Sequence, residues 1–221
     1  MSGTVAILSG GMDSTTMLHA LKKNSAFPDD LHALSFDYGQ KHARELDFAF
    51  TTCCGLEVPH EVMSLRSLKL FGSSTLTDED RPVPDGHYTA EVMKATVVPN
   101  RNMVMLSLSI ARCLSLGFSR VAYGAHSGDH TIYPDCRPEF IHAMHDAAQL
   151  CDWTPVALDA PFYNLTKAEI VSLGEGLGVP WTGTWSCYKG GDIHCGTCGT
   201  CVERKEAFVD AGVVDPTGYL A

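Results

Sequence analysis

The chain has 221 residues, of which 45% are hydrophobic and 19% charged, and its formal net charge at pH 7 is −10. This length is enough for one full-size core, or for one domain with a small appendage. The acidic balance argues against a protein that holds nucleic acid by its phosphates, because such proteins usually carry a basic face. Small-molecule chemistry is therefore the expected function class.

The N-terminal segment has no basic region, and its apolar run, residues 5–8, is too short for a signal peptide or a membrane span. We therefore expect a cytoplasmic protein without a membrane partner. The nine cysteines are then expected to be free thiols or metal ligands rather than disulfides.

Strand and helix patterns alternate along the chain, which predicts an α/β fold with a doubly wound parallel sheet. The predicted strands span residues 4–8, 31–36, 61–65, 120–124 and 156–159. The predicted helices span residues 14–23, 41–54, 101–116, 138–151, 166–177 and 202–211. The polar segment 66–96 is expected to be a mobile flap or insertion, because a structureless loop this long is uncommon unless it is functional.

The first motif, Ser-Gly-Gly-Met-Asp-Ser, lies where the first strand ends and the first helix begins. Its glycines let the backbone approach an anion, and the helix N-terminus directs free N–H groups at the same place. The motif lacks the lysine of a Walker A loop, and Asp13 suits a magnesium ion on pyrophosphate. The alternative is a tight turn capped by serine. We predict that the nucleotide is bound by Leu8, Ser9, Gly10, Gly11, Met12, Asp13, Ser14 and Thr15.

The second strand leads into Asp37, Tyr38 and Gln40. Ligands gather at the carboxyl ends of parallel strands, so these side chains are predicted to contact the adenosine or an ion. A capped turn is the alternative for Asp37.

Polar residues at later strand-to-helix junctions predict contacts to anions and substrate. Arg101 at a helix N-terminus is electrostatically unfavourable unless it binds an anion, and Lys167 could balance phosphate charge during catalysis. Solvated surface positions are the alternative for both, and a capping role is the alternative for Asp135. We predict catalytic roles for Asp13, Ser14, Arg101 and Lys167. Substrate contacts are predicted for Arg101, His126, Asp129, Asp135, Arg137 and Glu139, with Arg137 suited to a bidentate carboxylate pair.

Cysteines near the C-terminus follow the pattern C-x7-C-x2-C-x2-C, formed by Cys187, Cys195, Cys198 and Cys201. Four thiolates with two C-x2-C steps predict a closed, structural zinc site. An iron–sulfur cluster is the main alternative. His194 is expected to lie outside the ligand set.

The phosphate motif resembles the loop of the N-type ATP pyrophosphatases, the PP-loop group, and this resemblance implies that AMP is transferred to an oxygen with release of pyrophosphate. SGGMDS, FDYGQKH, VPNRN, YPDCRPEF, TKAEIV and WSCY…CGTCGTC together resemble the 7-cyano-7-deazaguanine (preQ0) synthase family in order and spacing, over essentially the whole chain. Asn100 stands where that family commonly has glycine, and the loop GAHSGDH differs from the common form.

The resemblance implies a Rossmann-like nucleotide domain, residues 1–184, and a zinc-binding subdomain, residues 185–221, packed on it. It also implies ATP, Mg²⁺ and Zn²⁺ as cofactors, 7-carboxy-7-deazaguanine and ammonia as substrates, and a homodimer. A tRNA-thiolating enzyme of the same group and a non-catalytic zinc-containing module are the alternatives.

Overall fold

The computed structural model describes residues 3–24, 30–71, 74–87, 94–129 and 133–220. A single parallel sheet organises this part of the chain, in the order β3-β2-β1-β4-β5. The strands are β1 (Thr4–Ile7), β2 (Leu31–Asp37), β3 (His60–Ser64), β4 (Arg120–Ala122) and β5 (Ala157–Asp159). The central strands are almost wholly buried, as expected for a sheet that is covered on both faces.

Helices cover the two faces of the sheet. They are α1 (Met12–Asn24), α2 (Glu45–Leu56), α3 (Arg101–Ser115), α4 (Pro138–Leu150), α5 (Lys167–Leu177) and α6 (Gly199–Asp210). On one face, Met17, Ala49 and Ile170 of α1, α2 and α5 share a core with alternate residues of β1. On the other face, Leu106 of α3 and Met144 of α4 pack in a second core. The predicted doubly wound architecture is confirmed. Each helix among the described residues is too short or too polar to cross a bilayer.

Helix boundaries differ from the predicted ones at two places that matter for the site. Helix α2 begins at Glu45 instead of residue 41, because residues 41–44 form a turn in which the Lys41 N–H donates to the Leu76 carbonyl. Helix α6 begins at Gly199 instead of residue 202, so Cys201 lies inside its first turn. The capping box of α5, formed by Thr166 and Glu169, is present as its spacing indicates.

The described part of residues 66–96, the segment expected to be a mobile flap or insertion, contains local structure. Residues Arg66–Phe71 form a 3-10 helix, and Leu76 is buried in the core beside α3. Further along, Asp85 forms a β-bridge with Cys198, and the Gly86 N–H donates to the Thr197 carbonyl at 2.8 Å. A few apolar side chains thus anchor a polar segment between the sheet and the cysteine-containing tail. Residues 72–73 and 88–93 lie outside the described residues.

The C-terminal segment packs directly against the start of α1. Met12 shares a small core with Val171 of α5 and Phe208 of α6. Arg204, fully buried, donates to the Thr184 hydroxyl and the Trp181 carbonyl and pairs with Asp215. These contacts fix the tail, including its four predicted metal ligands, beside the carboxyl end of β1.

Candidate active site

The loop between β1 and α1 forms a compact anion cradle. The hydroxyl oxygens of Ser9 and Ser14 lie 3.0 Å apart, and the Ser9 N–H donates to the Ser14 hydroxyl at 3.1 Å. The Gly11 N–H lies 3.3 Å from the Ser9 oxygen. Since α1 begins at Met12, the unpaired N–H groups of its first turn face the same place. The cradle sits next to the point where the strand order reverses between β1 and β4, the usual ligand site of such sheets.

Gly10 holds this loop against two other parts of the chain. Its φ is +79°, and an added Cβ would lie 2.2 Å from the carbonyl oxygen of Glu45 in α2. On its other side, the Gly10 carbonyl accepts a 2.8 Å hydrogen bond from the Trp185 N–H. The loop is therefore clamped between the first turn of α2 and the segment that leads to the cysteines.

A charged cluster borders the cradle. The Lys167 ammonium lies 2.5 Å from the Glu203 carboxylate and 3.6 Å from Asp13. His126, buried, lies 3.9 Å from the same oxygen of Asp13. The other Asp13 oxygen, Oδ1, is buried without a hydrogen-bond partner among the described residues. An oxygen ligand left open beside a phosphate cradle and a lysine fits a magnesium–phosphate group.

A cavity of about 240 Å³ opens from the cradle. Its walls combine the phosphate loop with apolar, polar and C-terminal groups. The apolar lining consists of Ile7, Leu8, Phe36 and Met105. The polar lining beyond the cradle includes Tyr38, His42, Glu45 and Arg101, and the tail contributes Trp185, Ser186, Tyr188 and Thr200. The cavity combines apolar surface with a few convergent polar groups next to the cradle, which is the chemistry typical of small-molecule sites.

Buried ionisable groups meet in one wall of this cavity. The Arg101 guanidinium donates to the Tyr38 hydroxyl at 3.3 Å, and that hydroxyl lies 3.4 Å from His42 Nε2. Burial lowers the pKa of His42 to about 3 and raises the pKa of Glu45 to about 8. Burial also raises the pKa of Tyr38. Such perturbed groups beside a cavity are typical of functional sites.

Several predicted site residues occupy other positions. Asp37 accepts from the Gly39 N–H and pairs with Arg66, and Gln40 is buried with both ends of its amide bonded to the protein. Asp135, Arg137 and Glu139 do not line the cavity; Arg137 and Glu139 are exposed beside the start of α4. The side chain of Asp129 lies outside the described residues.

The four predicted metal ligands converge. Their sulfur atoms all lie within 4.8 Å of one another, with 3.9 Å between Cys195 and Cys201. Ligand bonds of about 2.3 Å in a tetrahedron place two sulfurs about 3.8 Å apart, so the spacing fits one metal ion. Backbone N–H groups of Thr197 and Cys198 donate to the Cys195 sulfur. The described residues therefore include a site that can hold a metal ion.

His194 lies beside this site in a supporting position. Its ring packs 4.2 Å from the Trp185 ring, and its Nε2 accepts from the Ser186 N–H at 3.0 Å. Burial lowers the pKa of His194 to about 4, so the ring is neutral and can accept this bond. The imidazole thus links the cysteine cluster to two residues of the cavity wall.

Residue patterns alone did not identify several groups at the site. His42 and Glu45 are in or just after the FDYGQKH motif, where Glu45 resembles an ordinary first-turn acid. Glu203 resembles a surface residue of the last helix. Trp185 and Thr200 are brought to the cavity only by the fold of the tail.

Comparison with known proteins places the chain in a family. The family model described as queuosine biosynthesis protein QueC matches residues 3–212. A 7-cyano-7-deazaguanine synthase of Methanoregula boonei is 50% identical over 97% of this chain and 98% of its own length. One from Caldicellulosiruptor bescii is 50% identical over 97% of this chain and 96% of its own.

A solved structure shares the fold. The U34-tRNA thiolase NcsA from Methanococcus maripaludis, determined with its [4Fe-4S] cluster, superposes with a TM-score of 0.54 at 13% identity. The match covers 81% of this chain and 57% of the thiolase. At this identity the likeness describes the fold alone.

Proposed function

The chain belongs to the queuosine biosynthesis protein QueC family, and we propose that it converts 7-carboxy-7-deazaguanine and ammonia to 7-cyano-7-deazaguanine with ATP. The observation that carries this proposal is the SGGMDS cradle opening into a cavity that also contains Arg101 and Lys167. Relatives that match nearly the whole chain are named for this product.

The cradle is suited to hold the pyrophosphate part of ATP while an oxygen of the substrate attacks the α-phosphorus. Ser9, Ser14 and the first turn of α1 supply neutral donors, and Lys167 supplies a positive charge. Because contacts within the protein hold these groups in place, they are suited to stabilise the charge that develops on the leaving pyrophosphate with little reorganisation. Arg101 can hold the substrate carboxylate or the α-phosphate.

Nitrile formation requires the same carbon to be activated twice. The carboxylate first attacks the α-phosphorus of ATP, which transfers AMP to the carboxylate and releases pyrophosphate. Ammonia then displaces AMP to form an amide. The amide oxygen then attacks the α-phosphorus of a second ATP and releases a second pyrophosphate, and loss of AMP with the remaining N–H proton gives the nitrile. One cradle can serve both steps, since AMP is attached each time to an oxygen on the same carbon.

We assign Zn²⁺ to the cysteine cluster and Mg²⁺ to the Asp13 region. The sulfur spacing favours a single ion over a [4Fe-4S] cluster, because a cluster places four iron atoms between its sulfurs. Bound Mg²⁺ would neutralise phosphate charge, and Asp13 Oδ1 is the oxygen able to hold it. Metal analysis of purified protein should give one zinc per chain; a brown protein with iron and sulfide would contradict the assignment.

Organisation and assembly follow the family resemblance. We propose a nucleotide domain of residues 1–184, a zinc subdomain of residues 185–221, a homodimer, and a cytoplasmic location. Sedimentation of the purified protein tests the dimer.

The decisive test is incubation with 7-carboxy-7-deazaguanine, ammonium and MgATP, with product mass as the readout. We expect the amide and then the nitrile, with AMP and pyrophosphate released only when the acid is present. Asp13→Ala should abolish AMP release while the zinc content stays unchanged. If the acid is recovered unaltered from the wild-type reaction, the proposed function is wrong.

A further inference from the structure

Glu45 is a buried carboxylate in the cavity wall that the steps above do not use. Its side chain is 11% exposed, and no Lys or Arg nitrogen among the described residues lies within ion-pair distance of it. The neighbouring imidazole of His42 lies 3.4 Å away, but burial keeps that ring neutral by lowering its pKa to about 3. The charge of Arg101 in the same cavity wall acts on Glu45 from beyond that distance. A buried carboxyl group without a directly paired cation is costly unless hydrogen-bond donors satisfy it.

The orientation of Glu45 is fixed by its neighbours. The Gln40 amide nitrogen donates to Glu45 Oε1 at 2.8 Å and to the Phe36 carbonyl at 3.1 Å. The Gln40 amide oxygen accepts from the Tyr38 N–H at 2.9 Å, so the amide cannot turn without breaking these bonds. A carboxylate has about four acceptor positions, and this geometry leaves most of them available to a ligand.

The surroundings of Glu45 suit a flat heterocycle. The rings of His42 and Tyr188 lie 4.9 Å apart in the same cavity wall, and Tyr38 lines the cavity beside them. His42 Nδ1 is buried and lacks a hydrogen-bond partner among the described residues. The unsatisfied Nδ1 indicates that a ligand with a polar edge completes this wall.

We propose that Glu45, held by Gln40, recognises the 7-deazaguanine ring by accepting hydrogen bonds from its N1–H and 2-amino groups. This inference rests on the proposed function and assigns the specificity residue for its substrate. A guanine-type edge presents two adjacent donors, which match the two oxygens of one carboxylate. Adenine presents one amino donor beside an acceptor nitrogen, so the adenine of ATP is better matched by the apolar lining of Ile7, Phe36 and Met105.

The test is calorimetric titration of the full-length protein with three ligands. These are 7-carboxy-7-deazaguanine, its analogue without the 2-amino group, and a non-hydrolysable ATP analogue. Glu45→Gln is compared with Asp47→Asn, which makes the same carboxyl-to-amide change at an exposed position on the first turn of α2. Circular dichroism melts check that each variant is folded.

The wild type should bind the acid about 10- to 100-fold more tightly than the 2-deamino analogue, since the donors of the ligand favour the ionised form of Glu45 and the lost hydrogen bond is one to a charged group. Glu45→Gln should lose about the same factor for the acid and should bind both acids within about threefold of each other. Its affinity for the ATP analogue should stay within about twofold, and Asp47→Asn should match the wild type throughout.

Three results would overturn the inference. One is equal binding of both acids by the wild type, which decides the question even if Glu45→Gln does not fold. Another is weaker binding of the ATP analogue by Glu45→Gln with unchanged affinity for the acid, which would assign Glu45 to adenosine. The third is unchanged affinity of folded Glu45→Gln for every ligand. Wild-type discrimination between the acids without nitrile formation would refute the proposed function and leave the recognition role intact.

Discussion

Replacing Gly10 with alanine tests whether the phosphate loop depends on its contact with α2. The new Cβ would lie 2.2 Å from the Glu45 carbonyl oxygen and 2.9 Å from the Ala49 nitrogen, both backbone atoms. A residue with a side chain at φ +79° costs about 1–2 kcal/mol. Overpacking against rigid backbone costs about 1–3 kcal/mol more. We therefore expect Gly10→Ala to lower the free energy of unfolding by about 2–5 kcal/mol.

Two other glycines separate these contributions. Gly191 has φ +84° but nothing within 4 Å of an added Cβ, so Gly191→Ala should show the conformational cost alone, about 1–2 kcal/mol. Gly176 lies in an exposed part of a helix, and nothing lies within 4 Å of an added Cβ. Gly176→Ala should therefore stabilise the protein by about 0.5–1 kcal/mol.

Urea unfolding of the three variants measures the differences, and AMP release measures the consequence for the site. Gly10→Ala should lose activity even where it remains folded, because the clash displaces either the cradle or the first turn of α2 that carries Glu45. The reasoning fails if Gly10→Ala is no less stable than Gly191→Ala, or if its activity equals that of the wild type.

Three further predictions concern the charge, the metal and the backbone near the site. Lys167→Met should lower kcat for AMP release by about 10²- to 10³-fold, because it removes a charge beside Asp13. Lys189→Met, outside the cavity, is the control, and equal kcat values for the two variants would refute the role of Lys167. Removing the metal with a chelator should weaken ATP binding in calorimetry, since Ser186 and Thr200, adjacent to cysteine ligands, line the cavity; unchanged affinity would mean that the metal does not support the site. Asn100 has φ +58°, so Asn100→Ala should lower the free energy of unfolding in urea by about 1–2 kcal/mol. Asn100→Gly should leave it nearly unchanged. Equal stability of the wild type and both variants would contradict this prediction.

The backbone conformation explains one departure from the family pattern. Asn100 adopts the left-handed region just before Arg101 begins α3, and asparagine enters this region more readily than other residues with side chains. Asn100 therefore supplies a left-handed conformation that glycine also adopts without strain. The replacement preserves how Arg101 is presented to the cavity.

The sequence by itself was sufficient for the alternating fold, for the Gly-Gly turn between the first strand and the first helix, and for the cluster of four cysteines. Each depends on residues that are close along the chain: strand and helix periodicity, a Gly-Gly turn before a helix, and C-x2-C steps. Local patterns did not indicate the structure found within residues 66–96, because a few apolar side chains such as Leu76 anchor a segment whose composition is polar.

Tertiary structure alone decided which polar residues face the cavity. Asp37 lies at the end of the strand that leads to the cavity and Gln40 follows it, but their side chains bond to Arg66 and to Glu45. Glu45 itself lines the cavity, although its sequence position resembles an ordinary helix start. Glu203 reaches Lys167 from a helix 36 residues further along the chain. The physical reason is that side-chain direction and burial are set by packing between distant elements, and no local pattern of residue types records that packing.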